Sequence, residues 1–328
     1  MNETQTNGQT EPLKVCAADQ HLCWTVTIYA LAFVILTIGG ILSNVSLIFI
    51  TIQTTTFRGS VNILLAFYSL CEIGNLSGNF LSIFSAFSGQ YFMPFKRAFY
   101  FTIVALISAS CAVHLLFFIG IERLFVVLFP LKHLKKQIFL PIVFVLFTIQ
   151  VICCAVYLFI SSNCYAAKMN SLEVLGNYYE ICGIIYKNNQ CSIGEFGNEG
   201  SIIILCTVIV YALIAVTLHC RKGPSNSNSA HFNNRIFRSL FTIISVNFGG
   251  YLIGICCLMI TKSINIDNSD LLVWHISQFS GILTHISASS NGPILYLTSS
   301  EYRDAFQKEL SFFKILFYRS SSVVVPQQ

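Results

Sequence analysis

A chain of 328 residues with 55% hydrophobic and only 10% charged side chains is not built to fold in water, where a domain carries nearer ~25% charged residues. Its net charge of +5 comes from cations gathered at the rims of apolar segments, which excludes nucleic acid as a partner and fits an anionic lipid leaflet instead. Helices and short loops use up the length, leaving one membrane domain and no room for a soluble catalytic one.

In chain order, apolar runs of very low charge fall at roughly 24–52, 60–87, 99–121, 138–161, 201–220, 239–261 and 271–298. Each meets or exceeds the ~20 apolar residues that cross a ~30 Å hydrocarbon layer as a helix. Lipid offers the backbone no partners, so such runs are helices rather than open strands. The predicted fold is an all-α membrane protein, a seven-transmembrane-helix bundle. The first run exceeds the length of a signal-peptide core and has no basic segment before it, so it reads as a retained span.

Basic residues set the orientation. Lys14, Lys96, Arg97, Lys168, Lys187 and Lys262 lie on the side of the N-terminus; the other thirteen, from Arg58 to Arg319, lie on the opposite side. Thirteen against six places the N-terminus outside and the C-terminus in the cytoplasm. The predicted division is an outer tail over 1–23, the bundle over 24–298 and an inner tail over 299–328. The sequon at Asn2, with Thr4 two residues on, fits an outer tail as a glycosylation site.

The loop 162–199 is the longest and carries Cys164, Cys182 and Cys191. With Cys16 and Cys23 they face the oxidising side, where disulfides persist. Five is odd, so at least one stays unpaired, and spacing does not say which. The other eight cysteines lie in or at the ends of spans and read as small packing residues. Gly223 to Ser229 is a flexible connection by composition. After span seven, Tyr302, Phe306, Leu310, Phe313 and Phe317 form one apolar helical stripe opposite Arg303, Asp304, Lys308 and Lys314, a short amphipathic helix in the membrane interface.

Two polar features stand out inside the spans. Glu72 is an acid at mid-depth, which must face the bundle interior; Asn44 and the Ser- and Asn-rich end of span seven, with Asn291, are its expected neighbours. It serves either as a cation or proton site coupled to helix rearrangement or as a neutral packing acid. Glu122-Arg123 lies where the third helix meets the cytoplasm, as a two-position switch or a topogenic anchor. His114, His275 and His285 stand singly on helices. No catalytic set, phosphate loop or metal-ligand cluster is present, so neither an enzyme nor a cofactor or metal is expected.

Four stretches, in order and correctly spaced, carry a resemblance: Leu42 to Phe49, Arg58 to Ala66, Ile119 to Phe125 running on to Leu128-Phe129-Pro130, and Ser300 to Phe306. With them the chain resembles rhodopsin-like G-protein-coupled receptors, and most of all the nematode serpentine chemoreceptors of the Srsx type. The resemblance implies that Asn44 is the family's span-one Asn and that Glu72 stands for its span-two Asp. It implies that Arg123 docks the G-protein α subunit and that Tyr211 joins Arg123 in the active state. Departures are plain. Ala98 stands where a Cys at the outer end of span three pairs with the long loop, leaving a bridge from Cys16 or Cys23 as the substitute. Span six has Phe248 to Tyr251 in place of Cys-Trp-x-Pro. Span seven reads Asn291-Gly292-Pro293-Ile294-Leu295-Tyr296, one residue longer than Asn-Pro-x-x-Tyr, so either Asn291 or Tyr296 is off register, with Pro293 loosening the helix.

Ala98 to Ser110 contains no carboxylate, which excludes an amine ligand. By the resemblance, Ala105, Ser108, Ala109, Tyr251, Gln278 and Phe279 line the pocket, which implies a small, mostly uncharged, odorant-like ligand. The implied partners are that small molecule, membrane lipid and a heterotrimeric G protein. The implied place is the plasma membrane, the ciliary membrane of sensory neurons included. A neuropeptide receptor of the same fold is the alternative. A non-signalling transporter is a third class, but it predicts inverted repeats that the chain lacks.

Overall fold

The structure, a computed structural model, describes residues 20–54, 57, 59–88, 92–128, 136–168, 173–175, 193–220, 270–321 and most of 242–257 with residue 260. Span one is Gln20–Gln53, and span two is Ser60–Ser77 continued by Asn79–Ser88. Span three is Phe95–Leu128, span four Lys136–Lys168 and span five Ile193–Cys220. Helical residues between 242 and 260 form span six. Span seven is Asp270–Ser289 continued by Asn291–Thr298, and the tail helix is Ser300–Ser321. Below, outer and inner name the ends that the distribution of basic residues assigns.

The helices sort their side chains for lipid outside and packing inside. On span one Trp24, Ile28, Ile35, Leu42 and Ile52 are exposed, while Phe33, Thr37, Asn44 and Leu47 are buried. So continuous an apolar exterior belongs in hydrocarbon. By length and apolarity, Trp24–Gln53 and Lys96–Leu128 each suffice to cross a membrane. Span three is the hub, packed against spans two, four and five, with span one packed against spans two and seven. One apolar core gathers Leu47, Leu64, Leu115, Ile119, Tyr211 and Leu295 in the inner half.

Span three runs seven residues beyond its predicted end, because Glu122, Arg123 and Leu124 are good helix formers and the turn continues through them. Glu122-Arg123 is therefore inside the helix, not at its tip. At the outer end Phe92–Pro94 pairs antiparallel with Glu173–Leu175, Met93 opposite Val174. This short ladder fastens part of the long loop, by backbone bonds, to the segment that enters span three. The tail helix is amphipathic as predicted over its described side chains. Tyr302 is buried and stacks on Phe57 at 4.3 Å between ring centroids, while Glu301, Arg303, Asp304 and Lys308 face out. Asn2, Cys16, Cys182, Cys191 and the 223–229 tract lie outside the described residues, and of Cys23 and Cys164 only the backbone is described.

Small residues set how closely the spans approach. A Cβ on Gly40 would strike Ser289 and, at 2.7 Å, Leu76, whereas one on Gly39 would meet nothing within 4 Å. Likewise Gly250 abuts Ser287, and Gly249 faces open space. We expect Gly40→Val and Gly250→Val to lower the melting temperature of the detergent-solubilised protein, at the ~1–3 kcal/mol typical of overpacking. Gly39→Val and Gly249→Val are the matched controls; an equal loss in them would show that spacing is not what the inner-facing glycines provide.

Candidate functional site

The break in span seven organises the polar interior. Pro293 has no N–H and its ring crowds the carbonyl four residues back, so the α-helix stops at Ser289 and resumes at Asn291. Span one takes up backbone groups at the break. Asn44 donates through Nδ2 to the carbonyl of Ala288 at 3.0 Å, and the Gly292 N–H donates to Ser43 Oγ at 3.1 Å. Asn44 also holds the carbonyl of Gly40 at 2.9 Å. Its own Oδ1 accepts from Asn291 Nδ2 at 3.1 Å, and Asn291 Oδ1 accepts from Asn247 Nδ2 at 2.7 Å. Three fully buried amides thus form a ladder from span one through span seven to span six.

Beside the ladder sits Glu72, also fully buried. Tyr251 donates its hydroxyl to Oε1 at 2.9 Å, and Asn75 donates Nδ2 to Oε2 at 3.2 Å. Tyr68 lies between Glu72 and Asn291, its hydroxyl buried without a hydrogen bond of ordinary geometry. Among the described residues Glu72 has no basic partner. It is an acid held by neutral donors that joins span two to span six.

The inner end holds the charged pair. Arg123 Nε and Glu122 Oε2 are 4.0 Å apart, with the side chains 19% and 12% exposed. Ser60, the first residue of span two, donates its hydroxyl to Glu122 Oε1. The carboxylate is therefore fixed from a second helix, and Arg123 is restrained by charge more than by a directed bond, since neither Arg123 Nε nor Glu122 Oε2 is hydrogen-bonded. Tyr211 lies one turn outward, its ring against Gly120 and its hydroxyl donating to the Leu116 carbonyl at 3.2 Å. In this conformation its hydroxyl bonds that carbonyl rather than Arg123. Tyr302 approaches the pair from the tail helix. Burial pushes its phenol well above the usual value, and the nearby Arg123 guanidinium opposes that shift.

The register question of span seven is settled. Asn291 keeps its place in the interior, Leu295 occupies the buried position one turn on, and Tyr296 turns outward to 37% exposure against Phe306. The extra residue ahead of Pro293 rotates Tyr296 off the inner face, so of the two it is Tyr296 that is off register, which takes it out of the activation switch to which the family resemblance assigned it with Glu122, Arg123 and Tyr211. Pro293 itself is exposed, acting through the backbone rather than as a member of the polar core. Of the expected pocket residues, Ala105 and Gln278 are buried, and Ser108 and Ala109 are half-buried on span three. Tyr251 belongs to the Glu72 cluster. Phe279 is 56% exposed and faces lipid, since it is a 100° step from inward Gln278 on the same helix.

Sequence reasoning missed Asn247, Asn75 and Asn79. Asn79 donates Nδ2 to Thr37 Oγ1 at 2.8 Å and ties the outer part of span two to span one. The available signal was an uncharged amide within an apolar run, which is costly in lipid unless partnered. The histidines are bonded as packing residues: His114 Nδ1 donates to the Ser110 carbonyl at 2.8 Å and His285 Nδ1 to that of Gly281 at 3.0 Å. Among the described residues no group of side chains could hold a metal ion. A recess of about 420 Å³ lies between Lys96, Arg97, Tyr100 and Phe101 at the outer end of span three.

If the ladder acts as a unit, Asn44→Ala and Asn291→Ala should not be additive. We expect a double-mutant coupling of ~0.5–3 kcal/mol, the range for directly bonded neighbours, read from thermal unfolding in detergent. Strict additivity would dissolve the ladder.

The arrangement is a set of polar ties between helices with a charged pair at one end. A family described as serpentine type 7TM GPCR chemoreceptor Srsx matches residues 23–310. A search of curated proteins finds no significant relative. Since the match spans all seven helices and the first half of the tail helix, the chain belongs to the serpentine seven-transmembrane chemoreceptors of the Srsx type.

Proposed function

We propose that this membrane-embedded chemoreceptor detects a small, mostly uncharged molecule and passes the signal to a heterotrimeric G protein at the cytoplasmic face of the plasma membrane. The observation that carries the reading is the inner charged pair. Arg123 sits beside Glu122, Glu122 is pinned by Ser60, and Tyr211 waits one turn away. Such a pair has a second position available to it, with Arg123 released toward a partner once Ser60 and Glu122 part. Span six is tied to the rest by bonds that can exchange: Tyr251 to Glu72, Asn247 to Asn291, and Ser287 Oγ to the Val246 carbonyl. Ligand that binds the released bundle a thousandfold more tightly supplies about 4 kcal/mol of bias. The lack of any carboxylate between Ala98 and Ser110 supports an uncharged ligand, with Ala105, Ser108, Ala109 and Gln278 in the pocket.

The competing reading, a peptide receptor, draws on the β-ladder that orders part of the outer surface. Calcium responses of cells expressing the chain to volatiles against peptides separate the two.

Arg123→Ala is expected to abolish ligand-driven GTP exchange on a reconstituted G protein while surface expression persists; full exchange by that variant would reject the assigned role. Ser60→Ala frees Glu122 and should raise basal exchange several-fold. Unchanged basal exchange in it would mean that the span-two hydroxyl does not restrain the switch.

A further inference from the structure

The outer end of span three presents a face that is both cationic and aromatic. Lys96, Arg97, Tyr100 and Phe101 are exposed and Val104 continues the same face, while Ala98, Phe99, Thr102 and Ala105 are buried. On a helix, residues four apart stand one above the other, so Lys96 lies over Tyr100 and Arg97 over Phe101. Two cations thus cap two aromatic rings. The Tyr100 ring is set against buried Phe99, 6.3 Å between centroids and 72° between planes. These four side chains line the recess of about 420 Å³, a volume in the range of small-molecule sites.

The charge at this recess is unbalanced. Lys96-Arg97 is the one adjacent basic pair on the N-terminal side of the bundle, the side on which cations are few. Among the described residues the single ion pair is that of Arg123 with Glu122, at the far end of the same helix. Neither Lys96 nor Arg97 has a carboxylate among those residues. From Lys96 to Val104 the face descends roughly 12 Å along the helix, from the level of head groups to that of acyl chains. A charged top over an apolar wall has the outline of an amphiphile, and the sign of the charge asks for an anionic one.

We propose that Lys96, Arg97, Tyr100 and Phe101 form a site for one anionic phospholipid of the outer leaflet, its phosphate held by the two cations and its upper acyl chain lying along Tyr100, Phe101 and Val104. Arg donates in a planar fork and Lys as a point charge, and both match phosphate oxygens. Snorkelling cations reach the phosphate of any lipid. A choline head, however, brings its own cation against Lys96 and Arg97, whereas a head of net negative charge neutralises them. Binding here depends on the bilayer placement of span three and not on coupling to a G protein.

The test is site-specific photocrosslinking of the full chain in bilayers of dioleoylphosphatidylcholine with a minor share of dioleoylphosphatidylglycerol. Val104→p-benzoylphenylalanine is irradiated, and the attached lipid is identified by mass spectrometry. We expect phosphatidylglycerol about threefold above its share of the bilayer. It should fall to that share in a Lys96→Gln/Arg97→Gln background and stay enriched in Lys96→Arg. Phe80→p-benzoylphenylalanine, exposed on span two, should crosslink at the bulk ratio in every background, which also shows that each variant is inserted. Glycerol phosphate, the free head group, should not compete. Bulk composition at position 104 without the charge substitutions would overturn the site and leave the two cations to the long loop, where Glu173 stands opposite Pro94. Enrichment that survives the double variant, is matched at position 80, or is competed by glycerol phosphate would overturn it equally.

Discussion

A helix that stops inside a bilayer must hand its freed backbone groups to a neighbour, because no water is there to take them. That constraint shapes this molecule at Ser290. Pro293 enforces the stop, and Ser43 and Asn44 of span one supply partners for Gly292 and Ala288. Span one could reach them only by lying close, and the closeness is why Gly40 carries no side chain against Ser289 and Leu76. Proline, glycine and asparagine at three distant positions answer one another through a single physical requirement.

The same break accounts for the polar interior. Asn291 sits on the first turn after it and relays between Asn44 and Asn247, so spans one, seven and six share one hydrogen-bonded column. Glu72 joins span two to the column's neighbourhood through Tyr251. Each tie contributes a net ~0.5–1.5 kcal/mol, so a few of them together match what a selective ligand can supply. Span three is different: most of its length is buried apolar contact on three sides, and its polar ties to spans two and five lie near its inner end, at Glu122 and Leu116.

Much of this was legible beforehand. The apolar runs gave the spans and their order, since hydrophobic length alone decides what crosses a bilayer. The Glu122-Arg123 pair and the flanking stretches pointed to the family. The amphipathic stripe around Tyr302 and Phe306 foretold the tail helix. Asn247 lies outside the four stretches that carry the resemblance, so only the cost of burying a neutral amide in lipid marks it. The resemblance placed Phe279 inward and left Asn291 and Tyr296 to compete for register, and both Phe279 and Tyr296 turn outward. In each case the error is angular: one inserted residue or one step along a helix rotates a side chain by about 100°, and a motif match does not measure angle.

By itself the amino-acid sequence determined that the chain is a helical bundle in lipid, with its basic residues biased to one rim, because hydropathy and charge act through each residue's own transfer energy. Only the tertiary structure decided which polar groups meet. Asn44 and Asn291 are 247 residues apart along the chain, and Ser60 finds Glu122 across 62. Those pairings depend on helix rotation and on the break at Ser290, which follow from how seven helices pack together and not from any one of them.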